Sequence, residues 1–270
     1  MYEEYWKLKE KPFRNTPDPR FLYHSSQHED ALMKLAYTIT EGMGAGMMTG
    51  VFGCGKTLLG RALLNDLGAE KYKVAFITNP IISYAELLRA IVRNLKSTAL
   101  PTKQTELLAD PLLENLNEIF INNIRDGQET IVIIDEAHSI QDERIFEELR
   151  LLLNFQLENK FLFTLFLFGQ PELKAKVSNL KQLDQRIAIR CHLDQLSRED
   201  TERYILHRLK VAGRQEPIFT PEAVNLIFNQ TGGIPRRINH LCDFALLTGF
   251  GKKTEIIDEK LLKEAAEKFA

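Results

Sequence analysis

Residues Gly50 to Thr57 constrain the fold more than any other stretch of this sequence. They read Gly-Val-Phe-Gly-Cys-Gly-Lys-Thr, which matches the phosphate-binding pattern G-x-x-x-x-G-K-[ST] at every position. The apolar segment 45–49 before them predicts a strand, and the segment after them predicts an amphipathic helix through the spacing of Leu59, Leu63 and Leu67. A strand, a loop and a helix in this order are the context that the pattern requires. We therefore expect a phosphate loop rather than a glycine-rich turn that happens to precede a helix.

The loop also predicts how a nucleotide is held. Its glycines let backbone N–H groups turn toward a phosphate, and the helix N-terminus behind them adds partial positive charge. We expect Lys56 to reach the β- and γ-phosphates and the Thr57 hydroxyl to bind Mg²⁺. The residues expected to contact ATP in and beside the loop are Gly50, Val51, Phe52, Gly53, Cys54, Gly55, Lys56, Thr57 and Leu58.

A second motif lies about eighty residues downstream. The β-branched run 131–134 predicts a buried strand, and two acids follow it directly. Open α/β sheets bind ligands at the carboxyl ends of their strands. We expect Asp135 to hold Mg²⁺ through water and Glu136 to polarise the attacking water; the alternative is a solvated acidic turn.

The letters Asp-Glu-Ala-His at 135–138 also mark a group of nucleic-acid helicases. Those enzymes need a second motor domain of similar size, and only about 100 residues follow the next predicted strand. The sequence therefore favours a helix-start or supporting role for His138 over a role in a helicase motif.

The next predicted strand, 161–168, ends near a polar residue. A side chain at the tip of the strand beside the acidic one can touch both the γ-phosphate and the attacking water. Gln170 occupies that place. The alternative is an ordinary turn residue before a helix that Pro171 starts.

The order of the elements predicts two domains and an arm. Strands alternate with helices up to about residue 195, which indicates a parallel sheet covered by helices on both faces, in three αβα layers; residues 97–104 are expected to be a loop. Beyond residue 195 the pattern is helical only, with helices expected at 198–212, 221–230, 235–248 and 258–269. We expect an N-terminal arm at 1–26, an α/β nucleotide-binding domain at 27–195 and a small helical lid at 196–270.

The predicted arm is rich in proline and aromatic residues and lacks helical or strand periodicity. Aromatic side chains can fix such a segment by packing into a folded body, and ahead of a phosphate loop they can wall a nucleotide base. We expect Tyr23 to contribute to the base site, although any one of these residues is as readily explained by packing alone.

Charge and cysteine content limit the partners and the cellular compartment that we expect for this protein. Lys and Arg number 35 against 37 Asp and Glu, and the formal net charge of -2 leaves no overall basic footprint for nucleic acid. Three widely spaced cysteines support neither a disulfide framework nor a zinc site. The start of the chain is unlike a signal peptide, and no apolar run approaches the ~18 residues of a membrane span. We expect a cytoplasmic protein without an intrinsic membrane span.

Together these motifs resemble the AAA+ ATPases, whose fold is an α/β nucleotide domain followed by a helical lid. The resemblance rests on the phosphate loop, Asp135-Glu136, Gln170, Arg186 and Gly233-Ile-Pro-Arg236. Within that superfamily, three further stretches resemble the ExeA-type ATPases of the general secretion pathway: 12–23, Gly169-Gln-Pro-Glu-Leu173 and Gly232 to Asn239. Related small ATPases accompany pilus and exopolysaccharide export systems.

The resemblance implies Mg²⁺ at Thr57 and Asp135. The catalytic residues that it implies are Lys56, Glu136, Gln170, Arg186 and Arg236. Among these, Arg186 is implied to be the finger that reaches a neighbouring subunit's nucleotide, with Arg190 as the other candidate. Arg236 is implied to sense the γ-phosphate from the lid, where Pro235 starts the helix beside the nucleotide.

The phosphate loop departs from the family at one position. Cys54 stands where a small hydroxyl or an alanine is common. We expect this to alter the redox sensitivity of the loop more than its phosphate geometry.

Two functions from different classes follow from the resemblance. In the first, a nucleotide-dependent homo-oligomer, a ring or hexamer, energises the assembly of a secretion, pilus or exopolysaccharide apparatus, in the cytoplasm or peripherally at the inner membrane. In the second, the chain is a DNA-bound switch of the transposition-regulator or initiator type. A ring that grips DNA lines its channel with Lys and Arg, and the sequence has no dense basic stretch. The first function is therefore favoured.

Overall fold

In the computed structural model, the described residues are 1–68, 70–80, 83–96, 109–158 and 160–269. The loop predicted at 97–104 lies outside them. The contacts divide the chain into two compact units, one made of Glu29–Gly50 and Ala62–Leu193 and the other of Met1–His28, Val51–Arg61 and Asp194–Ala270. We call them the sheet unit and the helical unit. The domain limits drawn from the sequence remain predictions.

The strands and helices of the described residues follow the alternation expected from the sequence. The strands are β1 (Ala45–Gly50), β2 (Tyr72–Ile77), β3 (Glu129–Ile134), β4 (Gln156–Leu157), β5 (Lys160–Phe161), β6 (Phe163–Gly169) and β7 (Ile187–Leu193). The helices are α1 (Ser26–Thr40), α2 (Lys56–Leu67), α3 (Tyr84–Leu95), α4 (Ala109–Arg125), α5 (Glu143–Leu152), α6 (Glu172–Asn179), α7 (Lys181–Asp184), α8 (Arg198–Val211), α9 (Pro221–Thr231), α10 (Pro235–Lys252) and α11 (Glu259–Phe269). Short 3-10 helices lie at Pro19–Phe21 and Ala137–Ser139.

The sheet unit contains a five-stranded parallel sheet in the order β2-β3-β6-β1-β7. Every residue of β1 and β6 is buried, because parallel strands are joined by helical crossovers that cover both faces of a sheet. The expected fold class, a parallel P-loop sheet with a helical C-terminal region, is confirmed.

Strand β7 was not predicted. Its residues alternate between buried and exposed, with Ile187 and Leu193 inside and Arg190 outside. An edge strand of this kind lacks the continuous apolar run by which the central strands were recognised.

The strand order places three chain segments at one edge of the sheet. Strand β6 pairs with β3 on one side and with β1 on the other. Asp135 follows the end of β3, and Gln170 follows the end of β6. Because the carboxyl ends of parallel strands lie at the same edge of a sheet, both residues lie at that edge. Gly50 ends β1 at that edge and is also the first residue of the phosphate-loop motif.

The helical unit has a core of its own that includes the N-terminal arm. Trp6 is 1% exposed, and its indole N–H donates to the Leu246 carbonyl at 3.0 Å. The buried Arg208 guanidinium donates to the carbonyls of Pro12 and Arg14. The arm is thus ordered by polar as well as aromatic contacts. Over the part of the chain that the structure describes, no helix is both long and apolar enough to cross a membrane.

Candidate nucleotide-binding site

The glycines of the phosphate loop are required by its shape. Gly53 and Gly55 have φ values of +86° and +97°, in the left-handed region that residues with a side chain rarely adopt. A Cβ at Gly53 would also lie 2.8 Å from the Arg236 Cβ. At Gly50 a Cβ would lie 2.6 Å from the Leu193 carbonyl oxygen, so β7 leaves no room there for a side chain. These three positions therefore require glycine, as expected for a loop that cradles phosphate.

Lys56 begins α2 and turns back onto the loop. Its side chain is buried, and its Nζ donates to the Val51 carbonyl at 3.1 Å. Lysines are rarely buried unless an anion or a set of acceptors compensates their charge. The position of this ammonium group suits an incoming phosphate. Thr57 follows in the first turn of α2, and its hydroxyl is a hard oxygen of the type that binds Mg²⁺.

Cys54 is buried in the loop, with 1% of its surface exposed. Burial raises the pKa of its thiol to about 11, although the nearby charge of Lys56 acts in the opposite direction. The thiolate is the reactive form of cysteine, and here it is disfavoured and shielded. This environment opposes the redox sensitivity expected from the sequence.

A narrow apolar cleft adjoins the loop inside the helical unit. It contains three of the residues predicted to contact nucleotide from outside the loop 50–57: Tyr23, Leu58 and Pro235. Its other lining residues are Leu22, His28, Cys54, Gly55, Leu196 and Tyr204. The cavity volume is about 30 Å³, room for about one water molecule. An adenine ring can therefore enter only if one of the walls moves.

Tyr23 is held in this wall by a hydrogen bond. Its hydroxyl donates to Asp200 Oδ1 at 2.9 Å, and its ring packs edge-on against Tyr204. The arm thus supplies an aromatic surface beside the loop, and its contact with a nucleotide base stays a prediction.

His28 lies in the same cleft and was not singled out in the sequence. Its Nδ1 lies 2.6 Å from the Ser25 hydroxyl, and its ring hydrogen-bonds the backbone of Cys54. Burial lowers its pKa, so the ring is neutral near pH 7. His28 stands far from the loop in sequence and belongs to no motif, and only the tertiary contacts reveal it.

Arg236 is brought onto the phosphate loop. Its backbone N–H donates to the Gly53 carbonyl at 3.2 Å, and its guanidinium carbon lies 4.7 Å from the centre of the Phe52 ring. A cation over an aromatic face is attracted by the electron density of the ring. Gly233 fixes the approach of α10, because a Cβ there would lie 2.1 Å from the Leu196 carbonyl oxygen.

The acidic pair follows β3 in two different environments. Asp135 is 2% exposed and accepts the backbone N–H of Glu136 at 2.9 Å. Glu136 is half-buried and has a φ of +54°, a left-handed conformation that is unusual for a glutamate. Such conformations cost on the order of 1–3 kcal/mol and cluster at functional sites.

Gln170 and Glu136 converge on the imidazole ring of His138. The Gln170 backbone N–H donates to His138 Nδ1 at 3.3 Å. The Gln170 Nε2 atom lies 2.9 Å from His138 Nε2, and a Glu136 carboxylate oxygen lies 3.5 Å from the same nitrogen. The structure therefore joins the acidic strand end to the Gln170 tip through a histidine to which the sequence assigned only a supporting role.

The two finger candidates differ in their partners. Arg186 donates to the neutral side-chain oxygen of Asn154 at 3.0 Å. Arg190 forms a salt bridge with Asp184 at 2.9 Å and also donates to the carbonyls of Asp184 and Ile187. The local contacts of Arg190 are therefore more numerous and stronger.

Comparison with known proteins identifies a family. The family model described as an AAA domain matches residues 39–177, slightly more than half of the chain. That segment begins before β1 and ends within α6.

Two curated relatives share sequence with the chain. General secretion pathway protein A of Aeromonas hydrophila is 38% identical over 254 residues, which cover 93% of this chain and 45% of that protein. An uncharacterized HTH-type transcriptional regulator of Methanocaldococcus jannaschii is 29% identical over 154 residues, which cover 55% of this chain and 37% of that protein. The chain thus spans less than half the length of either relative.

Solved structures show the same fold at low sequence identity. The Aeropyrum pernix ORC2 protein, in ADPNP-ADP complexes, matches with a TM-score of 0.73 at 19% identity, over 96% of this chain and 71% of that chain. Drosophila ORC bound to DNA matches with a TM-score of 0.74 at 15% identity, over 100% of this chain and 66% of that chain. With the phosphate loop, the parallel sheet and the matching family model in agreement, the chain belongs to the AAA+ family and is related to General secretion pathway protein A.

Proposed function

We propose that this chain binds ATP with Mg²⁺ on the phosphate loop and hydrolyses it. The observation that carries the proposal is the loop itself, in which left-handed Gly53 and Gly55 precede the buried Lys56. Membership of the AAA+ family supports the same activity. The protein donors proposed for Mg²⁺, the Thr57 hydroxyl and the Asp135 carboxylate, are hard oxygen ligands of the type that this ion prefers.

Different residues of the chain have different roles in the proposed hydrolysis. Thr57 and Asp135 would hold Mg²⁺, which would supply positive charge to the phosphate oxygens of ATP. Lys56 adds positive charge to the same oxygens, while Glu136 accepts a hydrogen bond from the attacking water and orients it. Gln170 and Arg236 donate to the γ-phosphate, where negative charge is spread over the oxygens of the transition state.

The binding half of this proposal is tested with a matched pair of lysine variants. Lys56→Ala removes the charge at the loop, whereas Lys174→Ala removes an exposed lysine on α6. Titration with a fluorescent ATP analogue should show loss of binding for the first variant and wild-type affinity for the second. Unchanged affinity of Lys56→Ala would contradict the proposed site.

We further propose that the active site is shared between subunits of a nucleotide-dependent homo-oligomer, a ring or hexamer, with Arg186 supplied to a neighbour. The neutral Asn154 partner of Arg186 supports this assignment, because an amide yields an arginine to a phosphate more readily than a carboxylate does. Arg190 is paired with Asp184 and is the weaker candidate.

For the biological role, we propose that hydrolysis energises the assembly of a secretion, pilus or exopolysaccharide apparatus. The identity with General secretion pathway protein A supports this role. We place the protein in the cytoplasm, with a peripheral association at the inner membrane through a component of that apparatus. Affinity purification from the native cell, followed by mass spectrometry, should recover an export component with Glu136→Gln in the presence of ATP.

A DNA-bound switch of the transposition-regulator or initiator type is the second candidate. The segment shared with an HTH-type transcriptional regulator supports it, and one structure of the same fold is bound to DNA. The two candidates differ in their response to salt. Under the secretion role, binding to duplex DNA is weak, falls steeply with salt and stimulates ATP turnover little. Micromolar or tighter binding at physiological salt, with stimulated turnover, would favour the switch.

A further inference from the structure

Three polar groups surround the two ring nitrogens of the His138 imidazole, which carries a single proton when neutral. Its Nδ1 faces the backbone N–H of Gln170 at 3.3 Å. Its Nε2 faces both the Gln170 side-chain amide at 2.9 Å and the Glu136 carboxylate at 3.5 Å. These contacts join the two groups to which the proposed ATPase assigns the γ-phosphate and the attacking water.

The hydrogen-bond chemistry fixes the tautomer of this ring. A backbone N–H can only donate, so His138 Nδ1 accepts, and in the neutral ring the proton lies on Nε2. Nε2 is then a donor, and the Gln170 amide must turn its oxygen toward it for their contact to be a hydrogen bond. The Gln170 amide oxygen and the Glu136 carboxylate therefore compete for a single N–H, and in this structure the amide is nearer.

We propose that His138 is a positioning residue that couples Gln170 to Glu136, an inference that rests on the proposed ATP hydrolysis. When the Gln170 amide turns to donate to a γ-phosphate, its oxygen leaves His138 Nε2. The released N–H then donates to Glu136 and holds the carboxylate in the orientation that activates water. Without a γ-phosphate, the Gln170 amide oxygen keeps the hydrogen bond from His138 and Glu136 is less constrained. The Glu136 carboxylate is therefore oriented to activate water only when a γ-phosphate is bound.

The backbone around the ring is fixed independently of the imidazole. Lys176 Nζ donates to the carbonyls of His138 and Ile140 at 2.6 and 2.7 Å. Gly169 packs so closely that a Cβ there would lie 3.2 Å from the His138 backbone nitrogen. Side-chain substitutions at His138 therefore leave the contacts that hold the 3-10 turn Ala137–Ser139 in place.

Two amide substitutions separate coupling from simple support. In His138→Asn the amide occupies the position of Nδ1, so it can accept the Gln170 backbone N–H but cannot reach Glu136. In His138→Gln the amide occupies the position of Nε2 and keeps a donor toward Glu136. Coupling therefore predicts that His138→Gln keeps most of the wild-type kcat, while His138→Asn loses roughly tenfold or more through misplacement of the base. Both variants should bind ATP with wild-type affinity.

The experiment measures kcat and ATP affinity for both variants beside the wild type. It also measures His138→Asn in a Gln170→Ala background, where the substitution should again lower kcat by roughly tenfold, because His138 then donates to Glu136 without a competitor, whereas a ring that only supports Gln170 would cost little there. A kcat of His138→Asn equal to or above that of His138→Gln, or equal loss in both, would overturn the coupling and leave the ring a structural support. A wild-type protein without ATP turnover would instead contradict the proposed function itself.

Discussion

The backbone N–H of Arg236 donates to the carbonyl of Gly53 at 3.2 Å, so helix α10 is hydrogen-bonded to the phosphate loop at its first turn. The guanidinium of the same residue covers the Phe52 ring. The proposed lid sensor and the loop proposed to hold the phosphates are thus in contact within the helical unit. A substitution on either side of this contact should change the affinity for nucleotide.

Gly53→Ala should weaken ATP binding by about tenfold or more, because its Cβ would lie 2.8 Å from the Arg236 Cβ in a backbone conformation that alanine already resists. Gly68→Ala is the matched control, since Gly68 has a φ of +81° and open space around it. Calorimetric titration with ATP compares the two. Equal affinities would show that the contact between Gly53 and Arg236 has no part in binding.

Cys54 should be nearly inert toward thiol reagents in the folded protein. With a pKa of about 11, its thiol is ionised to roughly one part in a thousand at pH 8. We expect ATP turnover to survive a thiol reagent at that pH, and Cys54→Ala to turn over ATP like the wild type. Rapid inactivation that Cys54→Ala prevents would contradict this.

The same pKa difference has a consequence for stability. In the unfolded chain the Cys54 thiol has a pKa near 9.0, the ordinary value for a cysteine, while in the folded chain its pKa is about 11. The unfolded state therefore loses a proton first as pH rises, and the free energy of unfolding should fall above about pH 9. Denaturant titrations of wild type and Cys54→Ala between pH 8 and 10 should show a smaller fall for the variant.

Arg186→Ala should abolish turnover by the homogeneous protein, because a positive group opposite the γ-phosphate is worth roughly 10³ to 10⁵ in rate. Mixing it with Lys56→Ala, which is also inactive alone, should restore partial activity, since some interfaces then pair an intact loop with an intact arginine. Arg190→Ala serves as the control and should keep its turnover. Wild-type turnover by Arg186→Ala, or full activity of a strict monomer, would contradict a shared site.

Local sequence patterns predicted the elements whose stability is local. Ser83 and Glu86 have the spacing of a capping box and form one, with the Glu86 carboxylate accepting the Ser83 N–H at 2.9 Å. The continuous β-branched run of β3 is buried, as expected for the centre of a parallel sheet. In both cases the residues that specify the element are adjacent in the chain.

Elements and contacts defined by distant partners were missed or only partly predicted. The edge strand β7 owes its place to pairing with β1, which lies over a hundred residues earlier. Trp6 is buried and donates to the Leu246 carbonyl, and the sequence of the arm does not indicate that partner. His28 likewise takes its place from side chains that the fold brings to it, and the contact of His138 with Gln170, thirty-two residues away, could not be predicted from the motif that contains His138.

The most direct test of the proposed ATPase is the turnover of Glu136→Gln beside Glu143→Gln, which makes the same change at an exposed position on α5. The change at Glu136 keeps the shape of the side chain but weakens the acceptor that orients water, so ATP should bind with wild-type affinity while kcat falls by roughly 10² or more. Glu143→Gln should be indistinguishable from the wild type in both measurements. If Glu136→Gln hydrolysed ATP at the wild-type rate, the assignment of the catalytic base, and with it the proposed mechanism, would be contradicted.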